Sequence, residues 1–193
     1  MSRAYGAAAA GAVVVGVALA PLACVPGSQS PSSCLPPYSN APAYTLSNMV
    51  KEPPLSSVFA CAVTVWTLAT TAWLRRERRS WVPLLLSGLG FACAPTGEKP
   101  AHLWVWHTTL LCLTGIIFLV VTWSASAPAR FHARARAHRA LVLLWTALGG
   151  VFLGVVSAFP DAIVWGLLRA YGVACAEIAA ALHLALYQLD VMV

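Results

Sequence analysis

Long apolar runs separated by short charged turns organise this chain. The runs cover about 5–23, 55–74, 81–95, 102–125, 140–159 and 162–189. Most reach the ~20 apolar residues that an α-helix needs to cross about 30 Å of hydrocarbon. In lipid every backbone amide must be paired internally, so these runs should be helical despite their Val, Thr and Trp content. The pattern predicts an all-α fold: a polytopic membrane helix bundle of six transmembrane helices, forming a single transmembrane domain over 1–193. The third run is the shortest and carries Pro83, so a re-entrant segment is the alternative there.

Charge decides that alternative. Arginines gather in two clusters, Arg75, Arg76, Arg78 and Arg79, then Arg130, Arg134, Arg136 and Arg139, in the turns after the second and fourth runs. A re-entrant third segment would put the clusters on opposite faces, against the positive-inside tendency. A third span puts both in the cytosol. Arg3 then also lies inside, and the outer loops hold only Lys51 and Lys99 as cations, so both termini are expected to be cytosolic. Trp73, Trp81, Trp123 and Trp145 fall near the inner interface and Trp104, Trp106 and Trp165 near the outer one, where indole rings sit at headgroup level. Trp66 is placed at mid-depth. For the N-terminus a cleaved signal peptide is a second reading, since Arg3 precedes an Ala/Val run ending in small residues around Ala20 to Ala23. Cleavage would leave five spans and the same inner face. With no myristoylation start, prenylation box or retrieval tetrapeptide in view, the spans themselves are expected to hold the protein in its membrane.

Composition supports lipid as the solvent: 60% of the 193 residues are apolar and 9% charged, against roughly 25% charged in soluble domains. The net charge of +6 does not point to nucleic acid. Arginines at helix ends set topology and attract anionic lipid headgroups at about 1 kcal/mol each. His132 and His138 add groups that titrate near neutral pH to the second cluster.

One segment differs in kind, the Pro- and Ser-rich stretch Pro26 to Pro54 on the outer or lumenal side, the only extramembrane piece large enough for a lid or binding surface. Pro160 and Asp161 should close the last two helices into a tight hairpin. Cys24 and Cys34 lie where an oxidising compartment would allow a disulfide, and both a bridge and two free thiols are open. Cys61, Cys93, Cys112 and Cys175 fall within spans and read as small packing residues. Gly150 and Gly154, with Gly149 alongside, should let another helix approach, within the chain or across a dimer.

No phosphate-binding Gly loop, zinc motif or nucleophile elbow is present, and nothing calls for a metal or cofactor. The chemistry-bearing candidates are ionisable groups within spans, which cost about 2.5–3.5 kcal/mol each on insertion scales: His107, Arg169, Glu177 and His183. His107 and Arg169 should lie near the outer boundary. Glu177 lies about 18 Å below Trp165, past mid-bilayer, so a direct His107–Glu177 dyad is not expected. Glu177 is expected to face the bundle interior, in a structural or a catalytic role. Arg169 can snorkel outward, and His183 and Asp190 read as interfacial at the inner side.

The order of features carries a resemblance. A first span is followed by Cys34-Leu-Pro-Pro-Tyr-Ser-Asn-Ala and by Pro53-Pro-Leu-Ser-Ser-Val-Phe opening the second helix. An arginine turn, Leu86-Ser-Gly-Leu-Gly in the third helix, His102 and His107 in the fourth and Cys175-Ala-Glu-Ile in the last complete it. This arrangement resembles the Frag/DRAM/Sfk superfamily of six-span endomembrane proteins, which includes post-GPI-attachment remodelling factors and damage-regulated autophagy modulators. The resemblance assigns the lumenal loop motif to Pro36, Pro37, Tyr38 and Ser39, the helix-four His to His107 and the last-helix Glu to Glu177. Asn40-Ala-Pro-Ala stands where the motif turns acidic or Gly-rich, and Ile178 where an aromatic often follows the Glu.

Two functions follow from the resemblance. One is lipid remodelling of GPI anchors in the Golgi or endoplasmic reticulum, with the lumenal loop, His107 and Arg169 near the lipid and a membrane-protein partner able to supply the catalysis. The other is a non-enzymatic modulator of lysosomal or other endomembranes. Independently of the resemblance, the chain suits an accessory subunit of a larger membrane complex. Whether it is itself an enzyme stays open, because no nucleophile–base pair is visible. A transporter is least favoured, since few polar groups could line a path and no internal repeat is apparent.

Overall fold

The computed structural model describes residues 2–23, 54–93, 101–123, 127–158 and 166–192. Among them every regular element is helical: α1 Ser2–Ala23, α2 Leu55–Arg76, α3 Val82–Cys93, α4 Ala101–Thr122, α5 His132–Ala158 and α6 Gly166–Val191, with a single 3₁₀ turn Ala129–Phe131 before α5. Two segments, Leu55–Arg76 and Gly172–Val191, are long and apolar enough to cross a membrane. The apolar stretches Arg3–Leu19, Val82–Cys93 and Thr109–Thr122 are shorter. With 12 residues, α3 rises only about 18 Å.

Helices adjacent in sequence pair in space from α1 to α4, and again for α5 with α6. α5 and α6 share the most extended contact, α1 lies on both α2 and α6, and α3 lies between α2 and α4. The α5–α6 pair is antiparallel: Arg134 meets Asp190, His138 meets His183, and a Cβ on Gly149 would lie 3.4 Å from Ala176. At the seam of α2 and α3 the backbone of Gly88 lies against Thr67, so that an added Cβ would come within 2.4 Å of Thr67 Oγ1.

The core joins helices that are distant in sequence. The Trp66 ring of α2 tilts against Phe118 of α4 at 5.6 Å between centroids, and Phe118 meets Tyr187 of α6 edge-on at 6.2 Å. Buried polar groups call for partners in such a setting, and around Trp66 they have them. Trp66 Nε1–H donates to Gln188 Oε1 at 3.0 Å, and Gln188 Nε2 donates to Thr70 Oγ1 at 3.2 Å. At the far end a smaller cluster of Leu19, Phe59 and Phe91 joins α1, α2 and α3. Large apolar side chains also stand on the outside: Val65, Leu68, Leu86, Ile116, Val120 and Val151 are 47% to 68% exposed.

Several sequence expectations need correction. Cys61, Cys93, Cys112 and Cys175 are exposed thiols on the outer helix faces, not packing residues. Cβ atoms on Gly150 and Gly154 would meet nothing within 4 Å among the described residues, so the close approach belongs to Gly149. Trp73 is 4% exposed, so its ring packs in the core and not against headgroups. The second arginine cluster is not a loop: Arg134, Arg136 and Arg139 lie on α5, which begins at His132. Arg and Ala are among the strongest helix formers, so hydropathy marks where lipid would end and not where the helix does.

Candidate functional site

The residues richest in charge and hydrogen bonds converge on the end of α4. A helix terminus leaves its last carbonyls without intrahelical partners, and here side chains from three other segments supply them. Arg79, in the turn after α2, donates to Val121 O at 3.2 Å. Tyr187 of α6 donates its hydroxyl to Thr122 O at 3.1 Å, and Arg139 of α5 donates to Trp123 O at 3.2 Å. Cations at a helix C-terminus also offset its negative partial charge. The two arginine clusters, 51 or more residues apart in the chain, thus meet at one end of the bundle.

Both outer ends of the described chain reach the same place. A Cβ on Gly6 in α1 would lie 3.1 Å from the Cβ of Met192, just past α6. Asp190, 2% exposed, accepts from Arg134 Nε at 3.0 Å on each carboxylate oxygen, and Arg134 Nη2 also donates to Oδ1. The ion pair raises the affinity of the Arg134 guanidinium for its proton, mainly through the side-chain hydrogen bond. One turn further along α5, His138 Nδ1 lies 3.1 Å from His183 Nδ1. At that separation one imidazole donates and the other accepts, so the pair holds at least one neutral ring. The His138 pKa is lowered, chiefly by burial, with His183 and Arg134 adding to the effect and Asp190 opposing it.

Aromatic rings surround these cations. Arg139 stacks over Trp123 at 4.0 Å, Arg130 and Arg134 lie over Phe131 at 4.7 and 4.6 Å, and Arg75 lies 6.0 Å from the Trp81 ring. The turn itself is a complete C-cap. Arg78 N–H donates to Arg75 O at 3.1 Å and Arg79 N–H to Leu74 O at 2.9 Å, the two bonds of a Schellman motif, whose left-handed position is usually glycine. Here Arg78 occupies it, with φ 54°, at a cost of roughly 1–2 kcal/mol.

The other candidates are dispersed. His107, 5% exposed, packs on Phe91 at 4.9 Å between centroids, at the end of the bundle opposite the arginines. Glu177 is half-buried on α6. Helical rise puts His107 about 22 Å from Thr122 and Glu177 about 15 Å from Tyr187. Tyr187 touches Thr122, so both distances run along α4 and α6 from a shared level. Arg169 falls in the first turn of α6, and its side chain lies outside the described residues, as do Cys24, Cys34, Pro36, Pro37, Tyr38 and Ser39. Among the described residues no group of three or more His, Cys, Asp and Glu side chains could hold a metal ion.

No protein-family model, curated protein or solved structure matches this chain. The site must therefore be read from its own geometry. Sequence reasoning missed Gln188 altogether and took Asp190 and His183 as merely interfacial. A signal was present: His183, Tyr187 and Asp190 recur at helical spacing on α6, and Arg134 and His138 recur four apart on α5, which is the pattern of two facing polar ladders.

Proposed function

We propose that this chain is an integral endomembrane protein, a six-span bundle with its arginine end and both termini at the cytosolic surface, acting in lipid remodelling of GPI anchors. The observation that carries the membrane part is the pairing of an apolar exterior with one arginine–aromatic end, where Arg79 and Arg139 cap the same helix. The lipid part rests on the resemblance of the loop motif, His107 and Glu177 to the remodelling-factor branch of the Frag/DRAM/Sfk superfamily. A membrane-protein partner supplies the catalytic step in this reading. It would act near His107, whose burial against Phe91 suits an apolar lipid chain better than a solvated substrate.

A second reading, the non-enzymatic endomembrane modulator, is favoured by one feature. The sequence carries none of the standard nucleophile motifs, which a non-enzymatic role does not need. Deleting the gene and following a GPI-anchored reporter separates the two. Under remodelling, surface retention falls and anchor acyl composition changes, and wild type restores both while His107→Ala does not. An unchanged anchor would sink the remodelling reading and leave the modulator.

A further inference from the structure

The arginines at the α4 end fall into three groups, the first being Arg75 and Arg130, which lie by the Trp81 and Phe131 rings. Arg79, Arg134 and Arg139 are engaged with Val121, Asp190 and Trp123. Arg76, Arg78 and Arg136 are exposed, and among the described residues they make no hydrogen bond or ion pair. Arg136 lies three residues before Arg139, hence on the same side of α5 and one turn further out. Arg76 and Arg78 lie beside Arg79, which caps α4. Outward cations thus stand next to inward ones on both segments that reach the α4 end, where Arg75 lies by Trp81 and Arg139 over Trp123. Glu77, exposed between Arg76 and Arg78, is the one acid in the turn.

Arg78 carries the strongest clue. Its backbone is in the left-handed region, where glycine would cost nothing, and its exposed side chain makes no hydrogen bond, ion pair or ring contact among the described residues. Strained backbone of this kind clusters at functional sites such as ligand clamps. A guanidinium aimed outward at the edge of an apolar bundle, beside indole rings of the kind that mark headgroup level, meets phosphate first.

We infer that Arg76, Arg78 and Arg136 form a binding site for the headgroup of an anionic phospholipid in the leaflet at the arginine end. The inference rests on the reading of that end as a membrane surface. Exposed guanidiniums present several donors each and bind phosphate oxygens in pairs, while the engaged arginines fix the spacing of the two turns that carry them. The lipid then ties the α2–α3 turn to α5 from outside, as Arg79 and Arg139 tie them to α4 from within.

The test uses the full chain reconstituted in nanodiscs of mixed phosphatidylcholine and phosphatidylserine, with retained lipid quantified after purification. Wild type should retain phosphatidylserine in excess of its share. The triple variant Arg76→Gln, Arg78→Gly, Arg136→Gln should weaken retention by roughly a hundredfold, taking about fivefold for each arginine at a membrane surface. Arg78→Gly alone should weaken retention about fivefold while raising the melting temperature, and a role confined to the fold would not give those opposite signs. Unchanged retention in Arg78→Gly and the triple variant would overturn the site. Displacement of the lipid by inorganic phosphate alone would overturn phospholipid as its ligand. If wild type is stripped from native membranes by alkaline carbonate, the membrane reading fails instead.

Discussion

Gln188 ties α6 to α2 through one amide. Its Oε1 accepts from Trp66 and its Nε2 donates to Thr70, all three side chains being buried. Replacing it by leucine leaves an indole N–H without a partner inside the bundle, which costs about 1–3 kcal/mol. Gln188→Leu should therefore lower the melting temperature of the purified protein. Adding Trp66→Phe, which removes the stranded donor, should recover part of that loss, and a strictly additive double variant would count against the pairing. Asp190 is the other buried anchor. Because it is nearly fully buried while Arg134 reaches solvent, Arg134→Gln strands a carboxylate and should destabilise more than Asp190→Asn. His138 gives the pair a pH dependence. Its pKa is lowered in the folded state, so the unfolded chain binds more protons as the pH falls. The stabilisation is fully present above the ordinary histidine value of about 6.5 and declines below it, towards the lowered folded value. Thermal melts across that window should slope downward with acid for wild type and flatten for His138→Gln. These residues were the hardest to read in advance, since each pairing spans 45 or more positions and hydropathy treats Gln188 and Asp190 only as interruptions of an apolar run.

Helices were the most legible feature, because apolar runs of this length admit few other conformations in lipid. The run 55–74 became Leu55–Arg76 and the run 102–125 became Ala101–Thr122. α5 departs most. It starts eight residues ahead of the run at 140 because Ala133, Arg134, Ala135 and Arg136 favour helix as strongly as any apolar residue. Small residues were legible as a class but not by position. Gly88 and Gly150 look alike in sequence, yet one is pressed on Thr67 and the other opens onto space. Gly88→Ala should cost about 1–3 kcal/mol through overpacking of α2 against α3. Gly150→Ala should be neutral or stabilise by up to about 1 kcal/mol, the helix-propensity difference. Equal melting temperatures for the two variants would show that the α2–α3 seam is looser than described.

At the scale of the whole molecule, two arginine clusters, the start of α1 and the end of α6 share one pole, while His107 with Phe91 occupies the other. Charge asymmetry in the sequence anticipated that the clusters would lie together, and the α4 end supplies the contacts that hold them there. The loop motif around Tyr38 lies outside the described residues. The measurement that tests the account most directly is the topology of the chain in native membranes, with epitope tags at each terminus and within residues 26–54, scored by protease access in sealed vesicles of known orientation. The account predicts that both terminal tags are cut from the cytosolic side while the tag in 26–54 stays protected until the membrane is breached. A terminal tag protected together with the 26–54 tag would contradict it.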